Sequence, residues 1–233
     1  MNTHVFFITA KTNLHVGNEN GNDFTIIDKA IQRDALTNLP SINSSSLKGA
    51  INEFCIHEST LTAKDRQILF GADKKKEEKE IQKGEAIFFD AKLLLLPQQD
   101  DSSLYHYVTS QSVLDQMNDR ISLFGSNDEV SLDDIRVNKP KSLITDEELE
   151  ACCSDDNLPI IARNVLENGL SKNLWYEQVL PAETVLYTII REKDNKLRDA
   201  LNGKLVQIGA NATIGYGYCQ FTLLKSIQNN KEV

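Results

Sequence analysis

The chain has 233 residues, 40% of them hydrophobic and 25% charged, with a formal net charge of −9. That is enough chain to bury one large core with insertions, in the proportions of an ordinary globular protein. No apolar run approaches the roughly 18 residues of a membrane span, so no membrane partner is expected, and the net acidity at first argues against a nucleic-acid partner. The acid is uneven, however: Gly125 to Asp156 holds ten Asp/Glu against three Lys/Arg. The rest is a mildly acidic body that can still carry a local basic groove beside one acidic, solvated insertion. Cys55, Cys152, Cys153 and Cys219 form no C-x-x-C pair and read as reduced structural thiols. His4, His15, His57 and His106 are scattered, which argues against zinc.

Residues 1–17, MNTHVFFITAKTNLHVG, lack a basic segment followed by a long apolar stretch, so no secretory leader is expected. Alternation over 4–16 predicts a first strand with His15 and Gly17 at its far end. GNENGNDF (17–24) reads as loop, TIID (25–28) as a short strand, and KAIQRDALTNLP as a polar connection ending at Pro40. Ser44, Ser45 and Ser46 sit where an N-cap belongs, before an amphipathic helix from Leu47 to His57 with Leu47, Ala50, Ile51 and Phe54 on one face. DKKKEEKEIQKGE (73–85) is a solvated charge run inside an insertion at about 71–86. AIFFDAKLLLLP (86–97) predicts an apolar strand closed by Pro97.

Residues 111–156 mix helix-like and acidic irregular stretches and form a second insertion. NLPIIARNVLENGLSKNLWYEQVLPAETVLYTIIRE (157–192) reads as strand, polar loop with a lone tryptophan, then strand: a long hairpin. NKLRDALNGKL predicts a short helix ending near Gly203, and VQIGANATIGYGYCQFTLL a glycine-punctuated turn before a last strand. This order predicts an α+β domain of the ferredoxin-like class. Its antiparallel sheet would carry helices on one face and leave the other open, a common RNA platform.

Four stretches carry chemistry. PSINSSSLKGA (40–50) puts three hydroxyls and Lys48 at a helix start, yet no glycine precedes the lysine, so a nucleotide-triphosphate loop is disfavoured. What remains is either a phosphodiester site on free N–H groups or an ordinary capped helix. In GANATIGYGY (209–218), Gly209, Gly215 and Gly217 permit tight turns and close backbone approach, and their spacing is not the dinucleotide fingerprint. In IIDKAIQRD (26–34), Asp28 stands near Gln32 and Arg33 and reads as a turn residue, a general base or a metal ligand for phosphodiester cleavage. In ARNVLENGLSKNLWYEQV (162–179), Arg163, Asn164, Lys172 and Asn173 lie beside Trp175 and Tyr176, a mixture that suits single-stranded RNA; Trp175 reads equally well as core.

The order of LHVG, IIDKAIQRD, PSINSSSLKGA, FFDAKLLLLP, IARNVLENGLSKNLWYEQVLP and VQIGANATIGYGY resembles the RAMP backbone subunits of Cmr complexes, the type III-B CRISPR RNA-guided effectors. The resemblance spans nearly the whole chain. It implies a single RAMP domain over 1–233: an RRM-derived palm with a protruding β-hairpin thumb at about 160–182. Copies would stack as a filament along a guide CRISPR RNA, joined by large, small and capping subunits, in the cytoplasm. Each thumb would wedge into the guide–target duplex. Asp28 would then cut the single-stranded target RNA at regular intervals with a divalent metal, Mg²⁺ or Mn²⁺, which Asp28 itself would bind. His15 would help position the target. Gln32, Arg33, Ser44, Ser45, Ser46, Lys48, Gly209, Gly215, Gly217 and the thumb residues would hold RNA. Two positions depart from the family pattern: Ala210 follows Gly209 where a second glycine is common, and Tyr216 replaces a basic residue.

Two functions follow: an RNA-guided endoribonuclease acting through Asp28, or a non-catalytic subunit that only holds guide RNA. A free-standing guide-maturation nuclease is disfavoured, because no His/Tyr/Lys acid–base set stands beside Asp28 in sequence.

Overall fold

The computed structural model describes residues 1–17, 27–71 and 83–228. Most of the chain's strand-forming runs meet in one sheet. β1 (Asn2–Ala10) leads to the two-residue β2 (Ser41–Ile42), α1 (Ser44–His57) and α2 (Ala63–Phe70). Next come β3 (Ile87–Phe88), β4 (Ala91–Asp100), β5 (Leu104–Ser110) and α3 (Gln111–Ser122). β6 (Lys141–Ile144) and α4 (Asp146–Cys152) precede the hairpin β7 (Ile160–Glu167) and β8 (Leu170–Gln178). The chain closes with β9 (Val185–Glu192), α5 (Lys196–Leu201), β10 (Leu205–Gln207) and β11 (Tyr218–Ile227).

The strand order β10-β11-β1-β9-β4-β5-β6 contains the ferredoxin-like palm as β11-β1-β9-β4, with all three of those pairings antiparallel. The connections β1-α1-β4 and β9-α5-β11 are two interleaved crossovers, and right-handed crossovers bring both helices back over the same face. β1 and β9 are buried along nearly their whole length. Phe6 meets Phe221 edge to face at 6.0 Å. From α1, Leu47, Ile51, Phe54 and Cys55 enter the core; Cys55 is the fourth buried side chain, and Ala50 is only partly covered.

The expectation of an open sheet face fails. Phe7, Thr9, Val185, Thr222 and Leu224 share a cleft with Val130, Ile135 and Val137, so the acidic segment lies over the second face. Nor is that segment merely solvated. Val130 and Ile135 are buried, Asn118 exchanges two hydrogen bonds with the Val130 backbone, and Lys225 Nζ donates to Ser126 Oγ and the Asp128 carbonyl. β6 joins β5 in parallel, and Leu149 of the following helix and Cys153 at its C-cap are buried. Sparse apolar residues anchor the segment while its carboxylates face outward, so composition alone reads as solvated.

Other boundaries shift for local reasons. The first strand ends at Ala10, and residues 11–17 bend toward Leu180, which bridges to Leu14. Pro97 does not close β4: pairing with β9 stops at Leu95, so a missing N–H at Pro97 costs nothing there, and the strand continues opposite β5. Residues 157–192 are not one hairpin. β7 and β8 pair with each other and with no other strand, over a two-residue turn at Asn168 and Gly169 (φ 52° and 81°), while β9 returns to the palm. The strands of the thumb therefore end at Gln178, and Trp175 lies within β8 rather than in a loop. Most of the predicted insertion at 71–86 and the segment 18–26 lie outside the described residues. All four cysteines are free thiols.

Candidate nucleic-acid interface

The three serines are the first turn of α1 rather than its cap. Asn43 holds the cap position in extended backbone and makes no side-chain cap bond. Its N–H donates instead to Gln32 Oε1 at 2.8 Å, and the Ser44 N–H donates to Asp90 Oδ1 at 2.7 Å. Burial works against the Asp90 carboxylate, but the Ser44 N–H and the Lys92 ammonium outweigh it and hold its pKa below the usual range. Gln32 Nε2 donates to the Gly17 carbonyl at 3.1 Å and Ser46 Oγ at 3.3 Å, so Gln32 ties the helix start to the LHVG loop.

Beside this turn lies an open groove of about 680 Å³, lined in part by Gly17, Gln32, Asn43, Ser45, Ser46, Gly49, Glu53, Gln207 and Gly209. Among the described residues no Lys or Arg lines it, and Lys48 is outside the lining. One wall is two loops clamped together. Gly209 (φ 80°) lies so close that a Cβ would overlap the His15 carbonyl, to which the Ala210 N–H donates at 2.9 Å. Gly217 (φ 78°) would likewise overlap the Ile208 carbonyl, and its N–H donates to the Asn13 carbonyl at 2.8 Å. Gly215 has open space around it.

Asp28 lies at the base of the thumb. Its side chain is exposed, and Oδ2 accepts the Tyr176 N–H at 2.7 Å. Lys29 and Gln178 continue the attachment, with Lys29 N–H to the Tyr176 carbonyl and Gln178 N–H to the Lys29 carbonyl. The orientation of the Asp28 loop is thus set by β8. Below it, Glu177 is 2% exposed in its side chain and accepts from Trp175 Nε1 (2.7 Å), Asn211 Nδ2 (2.7 Å) and Lys29 Nζ (3.2 Å). Burial pushes the Glu177 pKa up, and these three donors together bring it below the usual value. His15 is buried, and its Nδ1–H donates to the Gln178 carbonyl at 2.7 Å.

The structure brings Asp28, His15, Trp175 and the glycine-rich loop to one place, and the serine turn, Gln32 and Gly209 to another. Arg33 is engaged elsewhere, by Asp155 at 2.9 Å and the Asn38 carbonyl at 3.0 Å. Trp175 is no free stacking platform: its N–H is bound to Glu177, and Lys29 Nζ stands 5.1 Å above its ring. On the thumb, Arg163 pairs in register with Trp175 and Asn173 with Val165; Asn164 accepts from Ser171 at 2.8 Å, and Lys172 pairs with Glu167. Val165, Leu166, Leu170 and Leu174 are exposed near its tip. Sequence reasoning passed over Glu177, Asn211 and Asp90. For Glu177 there was a signal: it is a lone acid two residues after Trp175 in a run that ends apolar, on the same face of the strand.

No three His, Cys, Asp or Glu side chains gather as a metal site among the described residues. Asp28 offers a single carboxylate. That fits a magnesium-like ion arriving with RNA phosphates, which such ions take together with one or two carboxylates, and not a resident metal held by protein alone.

The RAMP superfamily model matches residues 7–220, and the chain belongs to that superfamily. It is 25% identical to the CRISPR system Cmr endoribonuclease Cmr4 of Pyrococcus furiosus, over 99% of this chain and 98% of that protein. Its fold matches a type III-B Cmr-beta complex bound to cognate target RNA, seen by cryo-EM, with a TM-score of 0.76 at 23% identity, covering 95% and 97% of the two chains. It also matches crystalline oligomeric Cmr4 from Pyrococcus furiosus, with a TM-score of 0.70 at 21% identity over 98% and 100%.

Proposed function

We propose that this chain is a backbone subunit of a type III-B Cmr effector: copies stack along a guide CRISPR RNA, and each cuts the paired target RNA beside its thumb. The complex would include large, small and capping subunits and act in the cytoplasm. Support comes from a relative that is a Cmr endoribonuclease and from a structural neighbour bound to target RNA. The observation that carries the catalytic part is Asp28, an exposed carboxylate held through one oxygen by the thumb's own Tyr176 N–H. Among the described residues its other oxygen has no hydrogen-bond partner.

Cleavage through the RNA's own 2′-hydroxyl needs the 2′-oxygen, phosphorus and 5′-oxygen in line, which A-form geometry forbids. A thumb that displaces a base pair relaxes the backbone toward that alignment. The open oxygen of Asp28 accepts the 2′-hydroxyl proton as the 2′-oxygen attacks phosphorus; the P–O5′ bond breaks and the 5′-oxygen takes a proton from solvent water, giving a 2′,3′-cyclic phosphate and a 5′-hydroxyl. A divalent cation, Mg²⁺ or Mn²⁺, held by Asp28 and phosphate oxygens would shield the charge that builds on the phosphorane. Sequence selection belongs to guide pairing, and the protein grips backbone and shape.

A second reading, a subunit that holds RNA without cutting it, is favoured by one fact: no second carboxylate is in hydrogen-bond contact with Asp28 among the described residues. The Asp28→Ala variant separates the two when assembled with guide and target. Cutting should fall by about 10²–10⁴-fold with target affinity unchanged, and chelation should mimic the loss if a cation takes part. Unchanged cutting overturns the catalytic assignment and leaves the holding role.

A further inference from the structure

The segment that carries Asp28 has no helix or strand of its own among the described residues. Isolated bridges hold its backbone: Ile31 pairs with Gly17, Lys29 with Glu177 and Arg33 with Pro40. Two side-chain ties complete the attachment, and they converge on one atom. Asp155 Oδ1 accepts from Arg33 Nη2 at 2.9 Å and from Gln178 Nε2 at 2.9 Å. Gln178 is buried, and its Oε1 in turn accepts the Ile31 N–H at 3.3 Å. Ile31 and Arg33, just beyond Asp28, are therefore tied to a single carboxylate, one through Gln178 and one directly. That carboxylate comes from the acidic segment, in the turn between α4 and the thumb. The turn is itself fastened: the Asn157 and Leu158 N–H groups donate to the Ser154 carbonyl, Asn157 Nδ2 donates to the Ala151 carbonyl, and Cys153 and Leu158 are buried. A fixed acceptor with a charge-assisted bond to Arg33 restrains the loop more firmly than its bridges do alone. We propose that Asp155 is a positioning residue for cleavage, which clamps Arg33 and Gln178 so that the loop carrying Asp28 stays in place at the base of the thumb. The proposal rests on the catalytic reading of Asp28 and adds what holds that carboxylate where it acts.

The test uses the effector assembled from the full chain with guide and target RNA, comparing wild type, Asp155→Ala, Asp155→Asn and Asp28→Ala. Target Kd, the cutting rate at saturating target and its pH profile are read for each. Asp155→Ala should bind target within about twofold of wild type yet cut about ten- to a hundredfold more slowly, the loss that a shift of about 1 Å in a reacting group brings. Its pH profile should keep its shape, because Asp28 still takes the proton. Asp155→Asn keeps an oxygen that accepts from Arg33 and Gln178, so it should cut within about threefold of wild type. Amide exchange over residues 29–33 should quicken in Asp155→Ala and not in Asp155→Asn. Three results overturn the positioning role while the Asp28 assignment stands: Asp155→Ala cuts within about twofold of wild type, it loses target affinity as far as it loses rate, or Asp155→Asn shares its loss. Asp28→Ala that still cuts like wild type overturns both.

Discussion

A carboxylate that is 2% exposed must find donors on several sides to stay ionised, and Glu177 does so by joining three chain segments. Lys29 comes from the Asp28 loop, Trp175 from the thumb and Asn211 from the glycine-rich loop. Glu177→Ala strands those donors and should lower stability by about 2 kcal/mol, whereas Glu177→Gln, which keeps an acceptor, should lose less than half as much. Denaturant midpoints measure both, and equal midpoints for Glu177→Ala and wild type would remove Glu177 as the tie. Asp34 is a second tethered acid. Burial raises its pKa, but the Lys92 ammonium at 2.5 Å and the Thr37 and Leu36 N–H groups carry it far below the usual carboxylate range. Its folded pKa is depressed, so its contribution is fully present above the unfolded value near 3.8 and drains away as pH falls below it. Asp34→Asn should therefore be less stable than wild type at pH 7, and the gap should close toward pH 2. A gap that is constant with pH would show that the Asp34 charge contributes nothing.

At the scale of elements, the thumb and the palm have different sources of order. β7 and β8 join no other strand, and most of their side chains are exposed, so the hairpin depends on its turn and on the anchorage of Tyr176, Glu177 and Gln178 at its base, where Glu177 bridges to Lys29. Asn168 and Gly169 both take positive φ, the backbone of a tight two-residue hairpin turn whose twist matches the strands. Gly169→Ala forces a side chain into φ 81° and should destabilise the hairpin locally by about 1 kcal/mol. Amide exchange should then quicken over residues 163–174 while the palm strands keep their protection. Faster exchange across the palm as well would mean that the two units unfold together. The opposite design governs α1, whose buried Leu47, Ile51, Phe54 and Cys55 fasten it to the sheet while its groove face carries serines and a glycine.

Across the whole molecule, local pattern and long-range packing divide the credit. Runs of β-branched, aromatic and apolar residues marked β1, β9 and β11, the unbroken leucine run marked β4, and the LKGAINEFCIH periodicity marked α1, because those signals lie within a few residues of each other. The Asn-Gly turn was equally local, and was overshadowed by the more conspicuous tryptophan nearby. Asp28, the serines and the glycines were legible as candidates from residue type and spacing. Three things were not. The acidic segment covers part of the second face of the sheet, where Val130 and Ile135 line one cleft with Phe7 and Val185 from distant strands. Arg33 and Trp175 are already engaged within the fold, by Asp155 and Glu177, 122 residues and two residues away. The donors at the start of α1 are partly claimed by Asp90 and Gln32, 46 and 11 residues off. The sequence by itself determined the kinds of element, their order and the chemical vocabulary of the site, since each depends on neighbours along the chain. Only the tertiary structure decided which of those polar groups are already satisfied and which still face a groove, because a hydrogen bond is spent on whatever the fold brings within about 3 Å.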